Sequence, residues 1–323
     1  MNYRAPPWLP SGHLQTIVAA KLARSYAGER PAFLRERWDT PDGDFIDVDW
    51  LAPKPMAEAP LWVMFHGLEG SSSSHYARAC ADHARRQGFG FAVAHFRGCS
   101  GELNRAPRAY HSGDYEEIGW LLQRFASLHS GPVCAIGISL GGNALMRWAE
   151  EAGHSAGASV RAIAAVCAPL DLAASGAAMG RGFNRQVYTR MFLRSMKPKA
   201  LAKLKQHPGL FDAQALMAAQ DLYAFDNIFT APLHGFRDTE DYWKRASAKP
   251  HLAAVRVPAL AINARNDPFI PADSLPALHE VGQYVDLQQF DHGGHVGFAA
   301  GIPFGHLRTL PQTLGQWFDQ HAR

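Results

Sequence analysis

Residues 132–148, PVCAIGISLGGNALMRW, constrain the fold more than any other stretch of the chain. The apolar run 133–136 reads as a buried strand, and 143–148 has helical composition. Between them, Gly137-Ile138-Ser139-Leu140-Gly141 must turn from strand to helix within five residues. A turn that tight leaves little room for side chains two positions before and after its apex, and glycine suits both. It also lifts Ser139 over the end of the strand, at a helix N-terminus, where the helix dipole favours developing negative charge. A serine that merely caps the helix would give the same pattern, so the surroundings must decide.

The rest of the chain alternates strand and helix. Segments 33–40 and 45–51, joined by Pro41-Asp42-Gly43-Asp44, read as a β-hairpin. A buried strand follows at 61–65, and further strands at 89–96, 160–168, 257–263 and 284–290. Helices are expected at 74–87, 114–128 and about 306–321. Asp114 with Glu117 three residues on resembles a capping box. Continuous apolar strands between amphipathic helices indicate a mostly parallel sheet covered on both faces. The hairpin adds an antiparallel edge. The expected fold class is therefore α/β, a doubly wound sheet of about eight strands.

Two regions stand outside that alternation. Residues 1–30 form an extended, Pro-rich arm carrying Trp8 and Leu9, then a helix at 14–26, expected to lie across the core. Residues 173–249 hold no convincing strand and are too long for an ordinary connection. They read as a helical cap above the carboxyl edge of the sheet, inserted in a core made of 31–172 and 250–323.

Ligands on open α/β sheets bind beyond the carboxyl ends of the strands. Ser139 follows one strand, Asp267 follows the next but one in ARNDPF, and His295 follows the last in DHGGHVGF. Ser, then Asp, then His is the chain order in which nucleophile-elbow hydrolases present these groups. A serine hydroxyl needs an imidazole to take its proton, and the imidazole needs a carboxylate to fix its tautomer. Two backbone N–H groups would receive the oxyanion: Leu140 from the turn and Leu68 from His66-Gly67-Leu68-Glu69-Gly70. Duller readings exist for each. Asp267 before a proline can simply open a turn. His292 competes with His295, which is preferred because Gly293, Gly294 and Gly297 let its loop fold back over the serine. Asp286 and Asp291 are weaker acids, Asp286 because strand alternation turns it to solvent. A metal site from Asp291, His292 and His295 matches no zinc-ligand spacing. A Rossmann-type nucleotide site fails because Ser139 replaces the second glycine of its fingerprint.

With these residues assembled, the chain resembles the YheT-like branch of the α/β-hydrolases. The matching segments are SGHLQT (11–16), HGLEGSSSSHY (66–76), FRGCSGELNRAPRAYHSGDYEE (96–117), GISLGGN (137–143), APLDL (168–172), NARNDPFIP (263–271) and HGGHVGF (292–298). The resemblance implies an α/β-hydrolase fold with Ser139, Asp267 and His295 as catalytic triad. It also implies hydrolysis of carboxylic esters, notably short- to medium-chain acyl esters, without a cofactor or metal. Relatives that act on phospholipids or transfer acyl groups to alcohols give two enzymatic alternatives. A silent binding protein on the same fold is the non-enzymatic one.

Further residues bear on the pocket. His66, Gly67, Arg97, His111, Phe183, Met191 and Phe192 are candidates to line it. Arg97, Arg105 and Arg108 with His111 and Asp114 either brace the site or form an anion-binding lip. Phe183, Val187, Met191, Phe192 and Met196 suit an apolar acyl-binding wall or plain cap packing. From 181 to 205 there are eight basic residues and no acid, a local charge that exceeds the +3 of the whole chain. That run reads as a solvated basic face or as a weak contact for an anionic lipid surface. The mild net charge argues against a nucleic-acid partner. The N-terminus is broken by three prolines and does not read as a signal peptide. Four cysteines without a C-x-x-C motif fit a reducing compartment, so a cytoplasmic location is expected.

Overall fold

The computed structural model describes residues 3–302 and 304–321. Its strands are β1 (Phe33–Asp39), β2 (Phe45–Leu51), β3 (Leu61–Phe65), β4 (Gly90–Ala94), β5 (Val133–Ile138), β6 (Ala162–Val166), β7 (Ala259–Ala264) and β8 (Val285–Phe290). They form one eight-stranded sheet in the order β1-β2-β4-β3-β5-β6-β7-β8. The β1 and β2 hairpin is antiparallel, and β2 joins β4 antiparallel. From β4 to β8 every pairing is parallel. The expected α/β class and antiparallel edge are therefore observed. Apolar residues on both faces of β3, β5 and β6 are buried, because helices cover both sides.

Helix α1 (Gly12–Lys21) precedes the sheet, and α2 (His75–Gln87), α3 (Tyr115–Leu128) and α4 (Leu140–Ala152) follow β3, β4 and β5. Every residue of β2 is buried, although acids alternate with apolar side chains along it. Its acids are matched from the neighbouring edge strand: Arg35 pairs with Asp49 and Arg37 with Asp47, at 2.7 and 2.8 Å.

Three sequence expectations need correction. The helix expected at 14–26 runs from Gly12 to Lys21, capped by Ser11, whose Oγ accepts from Leu14 N–H. It stops early because the Leu22 and Ala23 N–H groups both turn onto the Val18 carbonyl. The last helix is Thr309–His321 rather than 306–321. His306 instead bridges to Arg24 and Ala300. Asp114 and Glu117 form no capping box. Asp114 pairs with Arg108 and Glu117 with Arg97, each at 2.5 Å.

Between Asp171 and Lys249 the described chain holds helices and no strand. Helix α5 (Leu172–Met179) is followed by a helical run through Gly182–Asn184, a π-turn at Arg185–Thr189 and the helix Arg190–Gln206. This insertion has its own apolar cluster of Leu193, Leu216, Phe225 and Phe229. Its two ends are stitched together, since Leu172 N–H donates to Ser247 Oγ and Lys249 N–H to the Leu170 carbonyl. Asn143 on α4 fastens the second end to the core. Its amide donates to the Ser112 and Ala246 carbonyls and accepts from Ala248 N–H.

Candidate active site

Ser139 stands between β5 and α4 with φ 52° and ψ −119°, a backbone conformation that side chains rarely adopt. Its cost is tolerated because the neighbours lack side chains. A Cβ on Gly137 would lie 2.4 Å from the Gly141 carbonyl oxygen, and one on Gly141 would lie 2.4 Å from that of Phe65. Ser139 N–H is fixed to the Val166 carbonyl at 2.8 Å. The hydroxyl is thus held above the end of the sheet by steric exclusion on both sides of the turn.

His295 Nε2 lies 3.0 Å from Ser139 Oγ, and His295 Nδ1 lies 2.8 Å from Asp267 Oδ2. A carboxylate can only accept, so Nδ1 carries the ring proton and Nε2 is left to accept from the serine hydroxyl. Asp267 is buried, and its other oxygen accepts from Phe269 N–H at 2.8 Å. The Phe269 ring stacks on His295 with centroids 4.1 Å apart. His292, the competing histidine, is exposed and faces Asn266 at 3.3 Å. Asp286 is exposed and accepts from Trp317 Nε1. Among the described residues, the one group whose ligand atoms lie mutually within 4.8 Å is Cys167, Asp267 and His295. The Asp291, His292 and His295 trio does not converge.

The His66–Gly70 loop approaches so closely that a Cβ on Gly67 would sit 3.2 Å from the Ser139 Cβ. Gly67 N–H donates to Tyr76 OH and Glu69 N–H to Tyr110 OH, both at 3.0 Å. Two of three successive N–H groups are therefore engaged, and among the described residues no acceptor meets the third, Leu68. Leu140 opens α4, where a helix N–H has no carbonyl one turn back to bond. Glu69 itself has a left-handed φ of 56° and is held by Tyr110 OH at 3.0 Å and Lys199 Nζ at 2.8 Å.

These groups open on a cavity of about 470 Å³ walled by Leu172, Met179, Met191, Phe192, Met196 and Phe229, among others. Gly67, Arg97 and His111 also reach it. Burial pushes the His111 imidazole down to about 3, so it is neutral. Two pocket candidates are misplaced. His66 is fully buried beneath the loop and accepts the Phe96 N–H, while Phe183 is half exposed and packs edge-on against His13 at 4.6 Å. Arg97 touches the cavity, but its guanidinium is spent on Asp42, Asp44 and Glu117. With Arg108 on Asp114, these two arginines brace the loop, while Arg105 is exposed and its guanidinium lies over the Phe45 ring.

The sequence reading missed what holds the histidine loop. Thr16 Oγ accepts from His295 N–H at 2.9 Å, and Gln15 Oε1 accepts from Gly293 N–H at 2.7 Å and Asn266 Nδ2 at 3.0 Å. Within the SGHLQT match the local signal was two polar residues, Gln15 and Thr16, in the middle of a short helix, both of which prove buried.

A family profile described as alpha/beta hydrolase fold matches residues 60–301. The YheT protein of Escherichia coli (strain K12), which carries a provisional esterase name, is 39% identical over 96% of this chain and 90% of its own. The chain belongs to the α/β-hydrolase family, in its YheT-like branch. Within that family, phospholipase ABHD3 of Mus musculus is 27% identical, over 87% of this chain and 70% of its own. Among solved structures, the Pyrococcus furiosus esterase Pf2001 superposes with a TM-score of 0.54 at 14% identity. It covers 93% of this chain and 98% of its own, and it speaks for the fold alone.

Proposed function

We propose that this α/β-hydrolase cleaves carboxylic esters through an acyl-enzyme on Ser139. The observation that carries the reading is the unbroken chain from Ser139 Oγ through His295 to Asp267, at 3.0 and 2.8 Å. Ser139 Oγ attacks the acyl carbonyl while its proton passes to His295 Nε2. The carbonyl oxygen becomes an oxyanion and accepts the N–H groups of Leu68 and Leu140. Collapse breaks the bond to the alcohol, which leaves with the proton from Nε2. Water then repeats the sequence and frees the carboxylic acid and Ser139. Asp267 holds the imidazolium that forms in each half-reaction.

The esterase name of YheT supports this reaction class. The apolar cavity supports an acyl chain of short to medium length as the group it holds, with the helical insertion acting as its cap. Ser139→Ala should lower turnover on a soluble acyl ester by about 10⁶, leaving what binding and the oxyanion donors contribute. A fluorophosphonate should label the parent at Ser139 and not the variant. A parent that hydrolyses no ester in a chain-length series and takes no label would leave a binding protein in its place.

A further inference from the structure

The mouth of the cavity lies between helix α1 and the helix Arg190–Gln206 with its preceding π-turn. Ala20 and Lys21 on the first, and Val187 and Met191 on the second, are exposed and line the cavity at once. The two elements meet beside that mouth, where His13 packs on Phe183 and its Nδ1 lies 3.2 Å from Tyr188 OH. The rim is unusually apolar for solvent-facing surface. Leu14 is 43% exposed, Phe183 50%, Val187 38% and Met191 48%. A contiguous apolar surface at a pocket entrance marks a place where something docks.

Charge says what kind of surface. Positions 190, 191 and 194 share one face of the helix Arg190–Gln206, which sets Arg190 and Arg194 beside Met191, with Val187 in the π-turn just before them. Of the eight basic residues from 181 to 205, several are consumed internally. Lys199 pairs with Glu69, Lys203 donates to the Asn104 and Ala106 carbonyls, and Lys197 donates to those of Met217 and Ala219. Arg181, Arg190, Arg194 and Lys21 are exposed and make no ion pair among the described residues. Neither 3–28 nor 181–211 contains an Asp or Glu. Unneutralised cations around inserted apolar side chains are the pattern by which a helix face lies on an anionic lipid surface.

We infer that this rim docks on anionic lipid surfaces, with Leu14, Phe183, Val187 and Met191 entering the headgroup boundary and Lys21, Arg181, Arg190 and Arg194 facing its charge. The cavity mouth then opens into the lipid, and an ester can pass to Ser139 without crossing water. The inference rests on the ester-hydrolase reading for what is delivered, and on the surface alone for where the chain binds.

Vesicle flotation separates the two, because it can be read on Ser139→Ala, whose residual turnover is negligible on the timescale of flotation. That variant should float with phosphatidylglycerol vesicles at low salt and stay behind with phosphatidylcholine vesicles. Binding should weaken as salt rises. Arg190→Glu with Arg194→Glu should lower the partition coefficient at least roughly fivefold per position. Phe183→Asp should lower it as well, while the same substitutions in the active chain leave hydrolysis of a soluble ester unchanged. Absence of binding to phosphatidylglycerol, or equal binding by the charge-reversed variant, overturns the proposal. So does binding to soluble polyglutamate that matches the vesicles and ignores Phe183→Asp, which would make the partner an acidic protein. A dimer that Phe183→Asp breaks, without vesicle binding, would assign the face to a second copy.

Discussion

Thr16 Oγ accepts the backbone N–H of His295 at 2.9 Å, joining residues 279 apart in sequence. Thr16 in turn donates to the Gly12 carbonyl one helical turn back, so the acceptor is fixed on α1. The N-terminal helix is therefore part of what aims the imidazole. Thr16→Val keeps the shape and removes the acceptor, which leaves a buried N–H without a partner. We expect kcat to fall about tenfold with KM nearly unchanged, and Thr16→Ser to restore it, as read by steady-state kinetics on a soluble ester. A Thr16→Val enzyme with parental kcat would remove α1 from the account.

Tyr110 governs the other side of the site. Its hydroxyl accepts Glu69 N–H and donates to Glu69 Oε1, both at 3.0 Å, and so sets the backbone next to Leu68. Tyr110→Phe should lower kcat by roughly tenfold, less than the ~10²–10³ expected for an oxyanion donor lost outright. Affinity for a phosphonate inhibitor should fall in parallel, while affinity for the acid product stays put. A drop confined to KM would assign Tyr110 to ground-state binding.

How much of this was legible follows from the range of each interaction. Ser139, Asp267 and His295 could be read because each sits one loop past a strand, and strand ends are local signals. The glycines of the turn were legible for the same reason. The Thr16 and Gln15 contacts span more than 250 residues and leave no periodic trace. Asp114 and Glu117 show the opposite failure. Their spacing promised a cap, but Arg97 and Arg108 outcompete a helix N–H for a buried carboxylate, since a charge-assisted bond is the stronger one. His66 and Phe183 were placed by neighbourhood in sequence, and side-chain direction decided otherwise.

Gly141 offers a stability test of the turn. A Cβ there would meet the Phe65 and His66 carbonyl oxygens at 2.4 and 2.6 Å, both backbone atoms that cannot swing aside. Gly141→Ala should cost about 3 kcal/mol, toward the upper end for overpacking, and lower Tm by several degrees in calorimetry. Gly157→Ala, with nothing within 4 Å of the added methyl, should not do so.

Asp226 predicts how stability depends on pH. It lies in the π-turn Asp226–Thr230 on the cavity wall, accepting from Thr230 Oγ at 2.6 Å and Trp243 Nε1 at 2.9 Å. No cation pairs with it among the described residues, and burial pushes its carboxyl up to about 6, against the two bonds that favour ionisation. In the unfolded chain the same group titrates near ~3.9. Between those values the folded state holds the proton and the unfolded state does not, so stability falls as pH rises from about 4 through about 6. Above that the full penalty applies, on the order of 3 kcal/mol. Asp226→Asn cannot ionise and keeps an acceptor for Trp243. Its Tm should exceed the parent's at pH 8, with the difference shrinking as pH falls toward 4. A difference that is constant across that range would mean Asp226 stays ionised in the fold, held by Thr230 and Trp243 alone.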